Sequence, residues 1–223
     1  MVMIDNLKLI KPLLNFEKEG DFYMLYVFKR KKDQSTDKAN HQSVRTIKSY
    51  CIESIQHLED RYDEIKQLCE MFKARAYIHI NKQNHKDVGM QMIVDIVNRI
   101  QSGQINQKHV FDSVVGQVKM KEKRWIVDID TKDESVIDGV INTIDQCKPI
   151  KFRAIVHTYK GDGTIEKSLD IVTKVIKKIP TKSGYHLITE RFDVMEFKEQ
   201  HSDIDIQKKN PTLLYYPNSL ENN

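Results

Sequence analysis

The chain has 223 residues, 39% hydrophobic and 30% charged, with a formal net charge of +4. That length allows one large domain or two small ones, and so mild a charge is compatible with a nucleic-acid partner without demanding one. Three scattered cysteines without a C-x-x-C pair exclude a zinc ribbon or disulfide framework and point to a reducing, cytoplasmic setting; no run nears the roughly 20 apolar residues of a membrane span, and the N-terminus lacks signal-peptide features, so no membrane partner is expected.

Aromatic and β-branched residues predict a strand over 22–29. "KRKKDQSTDKANHQS" reads as a basic loop, and "VRTIKSYCI" resumes as the second arm of a long-connected hairpin. Residues 54–74 carry Ile55, Leu58, Tyr62, Ile65, Leu68, Cys69 and Phe72 at helical spacing, with Glu53 and Ser54 at the start. "RAYIHIN" alternates as a half-buried strand, and residues 87–103 predict a second helix ended by Gly103, with Met90 and Met92 as core filler. A loop over 103–120 divides an N-terminal unit, 1–115, from a C-terminal unit, 116–217. The polar tail 218–223 is expected to fray, and one composite domain is the alternative. In the second unit, "RWIVDID" is a strand and "KDESVIDGVINTIDQC" a helix with Val136, Val140, Ile141 and Ile144 as its stripe. "IKFRAIVHTY", "KVIKKIP" and "GYHLIT" are strands, "KGDGT" a turn and "VMEFKEQH" a short helix; "DIDIQK" and "TLLYY" are extended runs. The expected class is α+β, with mixed or antiparallel sheets flanked by helices.

The strand "RWIVDID" carries the chemistry. Successive side chains alternate between faces, so Trp125, Val127 and Ile129 point into a core while Arg124, Ile126, Asp128 and Asp130 share the other side. Two carboxylates that close repel unless something positive lies between them. Mg²⁺ or Mn²⁺, which prefer carboxylate and phosphate oxygens, would serve. The competing reading is a solvated strand end, with Thr131 and Asp133 starting the next helix. Further on, "IPTKSGYHLIT" delivers His186 on a strand directly after a small Ser-Gly turn. Backbone N–H groups of such a turn can approach phosphate closely; Lys182 adds charge and Ser183 a hydroxyl.

An apolar strand ending Asp-x-Asp, followed about fifty residues later by Ser-Gly-x-His on a strand, resembles the archaeo-eukaryotic primase, or primase-polymerase, superfamily, in a small phage or bacterial form. The resemblance covers roughly residues 123–216. It implies a primase-polymerase-like fold with an RRM-like C-terminal unit. It implies a metal-dependent nucleotidyltransferase of DNA replication, in which Asp128 and Asp130 ligate Mg²⁺ or Mn²⁺. Lys182, Ser183 and His186 would contact the nucleotide's phosphates. A third acid completes the family's metal site; Asp193, Asp203 and Asp205 are the alternatives. Asp205 is favoured because Ile204-Asp205-Ile206 reads as a strand, whereas Asp193 suits a helix cap. The implied partners are nucleoside triphosphates, single-stranded nucleic acid and other replication proteins. The family's common zinc element has no counterpart here. A non-catalytic nucleic-acid-binding protein on the same scaffold is the alternative function.

Arg75, His79 and the basic loop Lys29–Lys32 are candidates for tracking a template backbone, against a solvated edge strand and loop. "YKGDGT" contains the Lys-x-Asp-Gly form of a ligase nucleophile at Lys160. Only 63 residues follow it, and no second set of ligase motifs appears, so a hairpin turn is the preferred reading. No P-loop, Rossmann glycine fingerprint or H-E-x-x-H occurs.

Overall fold

The computed structural model describes residues 3–30, 45–104, 110–118, 123–158 and 165–218. The basic run 31–44 and the turn holding Lys160 lie outside the described residues. Two compact units divide the chain, Met1–Lys123 with Lys209–Asn223, and Arg124–Lys208.

The first unit runs β1 (Ile4–Asp5), α1 (Leu7–Ile10), β2 (Asp21–Lys29), β3 (Arg45–Ile52), α2 (Ile55–Phe72), β4 (Arg75–Ile78), β5 (Gln83–Asn84), α3 (His85–Gln101) and α4 (Val110–Val115). Helix α2 starts where Ser54 accepts a hydrogen bond from the His57 N–H, and it ends at Lys73 in the left-handed region. It buries Leu58, Tyr62, Ile65 and Cys69, a single face at three- and four-residue spacing. Phe72, expected in that stripe, is more than a third exposed. Helix α3 packs Val88, Met92 and Ile96 with α4 against Phe22 and Met24 of β2. Met90 departs from expectation: it is 60% exposed, two residues round the helix from Met92.

The second unit runs β6 (Trp125–Ile129), α5 (Glu134–Gln146), β7 (Phe152–Thr158), β8 (Ile165–Ile171), β9 (Val175–Pro180), β10 (Tyr185–Thr189), α6 (Val194–Gln200) and β11 (Asp205–Gln207). Strands β7 and β8 pair only with each other among the described residues. Without that hairpin the succession is β-α-β-β-α-β, and the sheet order β11-β6-β10-β9 is fourth, first, third, second. Every pairing is antiparallel. Each helix begins on an aspartate. Asp133 accepts from the Ser135 N–H, and Asp193 from the N–H groups of Met195 and Glu196. The bonds to Ser135 also hold the Asp133 carboxyl below the usual carboxylate range.

One face of this sheet meets the helices. Val127, Ile129 and Leu187 form a core with Ile137, Val140, Ile144 and Phe197, and each such buried side chain contributes roughly 2 kcal/mol. The α5 stripe is centred on Ile137 rather than Val136, which is 44% exposed; one residue is a 100° turn of the helix. The C-terminal end of α5 is closed by Lys174. Its side chain is buried, and its Nζ donates to the carbonyls of Ile144, Asp145 and Cys147 at 2.7–2.8 Å.

The chain then returns to the first unit. Strand β12 (Thr212–Tyr216) lies between β1 and β4, giving the order β1-β12-β4-β2-β3 with β5 on β2. Thr212–Tyr216, expected with the second unit, thus pairs within the first, and Lys209–Asn223 groups with it. The class is α+β with antiparallel sheets and six α-helices among the described residues.

Candidate active site

The strand register assembles the site. On β6, Asp128 is opposite His186 of β10 on one side and opposite Asp205 of β11 on the other. Directly opposed residues point to the same face, so three polar side chains from three adjacent strands form a row. The row lies on the face away from α5, as the alternation of "RWIVDID" requires. Ile126 and Ile188 continue that face along the strands and are fully buried. Ile179, opposite His186 on β9, is buried as well. The face thus combines buried Ile126, Ile188 and Ile179 with Gln207 opposite Ile126 and Lys177 opposite Ile188, and Asp130 and Asp205 are exposed.

His186 is only 4% exposed. Its Nε2 lies 3.4 Å from Asp128 Oδ1, and the Asp128 side chain keeps 24% of its surface accessible. The histidine, expected to meet phosphate, is thus seated against a carboxylate. From the other side, Gln207 reaches over β11. Its Nε2 donates to Asp205 Oδ2 at 3.0 Å and to Asp128 Oδ2 at 3.3 Å. One neutral amide bridges the two acids.

Asp130 lies just past the end of β6 and is exposed. Ser183 Oγ donates to its Oδ1 at 2.9 Å, so the expected nucleotide-contacting serine holds an expected metal ligand. This contact depends on the β9–β10 hairpin. Thr181 N–H donates to the Gly184 carbonyl, and Gly184 N–H to Thr181 Oγ1. Gly184 then rests on the backbone of residues 129–131: a Cβ there would stand 1.9 Å from the Ile129 carbonyl oxygen. No side chain fits between the two segments. Lys182, at the hairpin tip, is exposed.

The other acids fall elsewhere. Asp193 caps α6 and is committed to that helix. Asp203 precedes β11 and is exposed. Asp205 alone of the three is in register with Asp128. Among the described residues, no group of three or more His, Cys, Asp or Glu is gathered closely enough to hold a metal ion. The donor chemistry nevertheless suits a divalent cation at Asp128 and Asp205. Mg²⁺ is commonly held by one or two carboxylates plus substrate phosphates rather than by an all-protein cage, and a hydrogen-bond donor already lies between these two.

In the first unit, three of the template candidates can be followed among the described residues. Arg75 is buried, with its guanidinium 4.8 Å from the centre of the Tyr216 ring. Burial pushes the His79 imidazole down to about 4, so it is neutral at pH 7. Arg30, at the edge of the basic run, lies over the Tyr77 ring. Two residues that matter were not singled out from sequence. Neither Gln207 nor Lys174 carries a motif signal.

Compared with known proteins, the chain matches no family model, no curated protein and no solved structure. No helix among the described residues is long and apolar enough to cross a membrane.

Proposed function

We propose that the second unit is the catalytic unit of a metal-dependent nucleotidyltransferase of primase-polymerase type, acting on nucleoside triphosphates and single-stranded nucleic acid. The observation that carries this reading is the register of β10, β6 and β11, with Asp128 opposite both His186 and Asp205. The β-α-β-β-α-β succession, with both helices on the other face, is also what an RRM-like unit has. Asp128 and Asp205, with Asp130 beside them, would hold Mg²⁺ or Mn²⁺. A cation bound there supplies charge neutralisation for an attacking 3′-oxygen and a departing pyrophosphate. His186 orients Asp128, and its burial keeps that contact away from solvent. Ser183 fixes Asp130, while Lys182 extends from the hairpin tip and offers its charge to a triphosphate.

The test uses Mn²⁺, labelled nucleoside triphosphates and a single-stranded template. Wild type should bind and incorporate nucleotide, and the double variant Asp128→Asn/Asp205→Asn should do neither. Equal inertness of the two, with no metal-dependent nucleotide binding by wild type, removes the polymerase reading. One observation favours a second reading, a non-catalytic nucleic-acid-binding module: neutral side chains, Gln207 and Ser183, each donate a hydrogen bond to these carboxylates. That module would bind nucleic acid in a salt-sensitive, metal-independent way.

A further inference from the structure

We infer that α3 is a self-association surface, through whose outward face two copies of this chain pair in antiparallel fashion. The inference is independent of the chemistry proposed for the second unit. Helix α3 has two apolar faces. Val88, Met92 and Ile96 pack with α4 against β2, whereas Met90, Ile93, Val94, Val97 and Ile100 are 45–63% exposed. At 100° per residue, the exposed set is centred roughly 140° round the helix from the packed one. A surface helix normally carries polar residues there. Here Met90, Ile93, Val97 and Ile100 follow one another at spacings of three, four and three residues, the pattern of a helix-pairing seam. Single exposed hydrophobics are ordinary, but a contiguous stripe marks a contact surface.

Area and charge select a second copy as what covers this stripe. A fully exposed residue of these types presents about 170–220 Å², so the five together offer roughly 500 Å². Two copies packed stripe to stripe bury about 1,000 Å², the size at which a specific interface begins. Between Gly89 and Gln101 the charged residues of α3 are Asp95 and Arg99. They pair with each other at 2.6 Å, and Arg99 also reaches Ser113 of α4, so both lie on the inner side. The outward rim consists of exposed Gln91, Asn98 and Gln101. A helix lying on a membrane would flank its apolar face with Lys and Arg, and a nucleic acid would require cations here. An uncharged stripe bordered by amides, which both donate and accept, complements itself. Symmetry sets the direction. A two-fold axis at the level of Asp95 brings Met90 against Ile100 of the second copy, and Ile93 against its Val97. Lys86 and Asp87 then lie beyond the neutral end of the other helix, Gln101–Gly103, where opposite dipole ends meet. A parallel pair would set Lys86 beside Lys86 and align the two dipoles.

The full chain is run by sedimentation equilibrium from about 1 to about 100 µM, the weak end of affinities for interfaces of this size. Wild type should approach twice its 26.2 kDa chain mass. Ile93→Glu/Val97→Glu sets like charges against each other in either direction and should stay monomeric. Both positions are exposed, so its circular dichroism and its melting in dilute solution should match wild type. Ile93→Gln/Val97→Gln adds no charge and should weaken association about tenfold or more. Ile93→Glu/Val97→Lys tests direction: in an antiparallel pair each glutamate meets a lysine, so it should associate about tenfold more tightly than the double glutamate. A wild type that remains monomeric overturns the inference, and its capture by anionic phospholipid vesicles would make the stripe a membrane contact instead. A dimer that survives Ile93→Glu/Val97→Glu uses another surface and overturns it equally. Association of Ile93→Glu/Val97→Lys no tighter than that of the double glutamate overturns the antiparallel arrangement.

Discussion

Gly184→Ala is the most exacting test of how this site is built. The added Cβ would stand 1.9 Å from the Ile129 carbonyl oxygen, 2.7 Å from the Thr131 nitrogen and 2.8 Å from the Thr131 oxygen, whereas real Cβ atoms essentially never approach within 3.0 Å. All three neighbours are backbone, so no flexible side chain can give way. Relief requires the hairpin and the end of β6 to part by about 1 Å, taking 3.0 Å as the nearest tolerable contact. Backbone overpacking of this kind costs roughly 2–4 kcal/mol, which for a chain of this size is a fall in Tm of roughly 5–15 °C. The same displacement breaks the 2.9 Å bond from Ser183 to Asp130. Calorimetric melting measures the first effect, and a Mn²⁺ titration measures the second against Ser183→Ala, which loses the bond without the clash. A Gly184→Ala protein that melts within 2 °C of wild type and binds Mn²⁺ equally would refute the close approach, and with it the fixed position of Asp130.

Three further outcomes are expected. Gly139→Ala, in α5 with open space where the Cβ would go, should gain roughly 0.5–1 kcal/mol in denaturant melts through helix propensity; a loss would mean that this face of α5 is covered. Lys174→Met should cost roughly 3 kcal/mol or more, because it leaves the carbonyls of Ile144, Asp145 and Cys147 without their buried donor; urea unfolding measures it, and a change below 1 kcal/mol would refute the cap. His79 should make stability fall with pH. Its pKa drops from 6.5 to about 4 on folding, so between those values the unfolded chain takes up a proton that the folded chain refuses. Between pH 7 and pH 5, wild type should lose roughly 2 kcal/mol more than His79→Gln, and parallel pH profiles of the two would refute it.

Local periodicity was the legible part of this sequence. The two-residue alternation of "RWIVDID" was enough to separate the core-facing Trp125, Val127 and Ile129 from Asp128, and Asp193 was readable as a cap because it directly precedes a helical run. Where periodicity is ambiguous, neighbouring apolar positions compete for the same face. Val136 and Ile137 are both apolar, and only packing against Val127 and Leu187 selects Ile137. Met90 and Met92 are alike in composition, yet Met92 meets the sheet and Met90 meets solvent. Burial of charge was the least legible. Arg75 reads as a template contact or a solvated edge residue and Lys174 carries no motif signal, yet each is buried where distant residues supply carbonyls or an aromatic ring.

The partner of Asp128 was a question of register, and register is not local. Ile206 faces the helix-side core, and alternation then puts Asp205 on the opposite face, with Asp128. Had β11 slipped by one residue, Ile204 or Ile206 would lie beside Asp128, and Asp205 would turn towards the apolar core beneath α5, a burial of charge that costs stability. On the other side the constraint is tighter. Tyr185 pairs with Ile129 and His186 with Asp128, and the contact of Gly184 with residues 129–131 tolerates no shift of even one side chain. The apolar residues of three strands and one glycine therefore set the positions of the acids and the histidine. The chemistry proposed for the site depends on these neutral residues as much as on the charged ones they align.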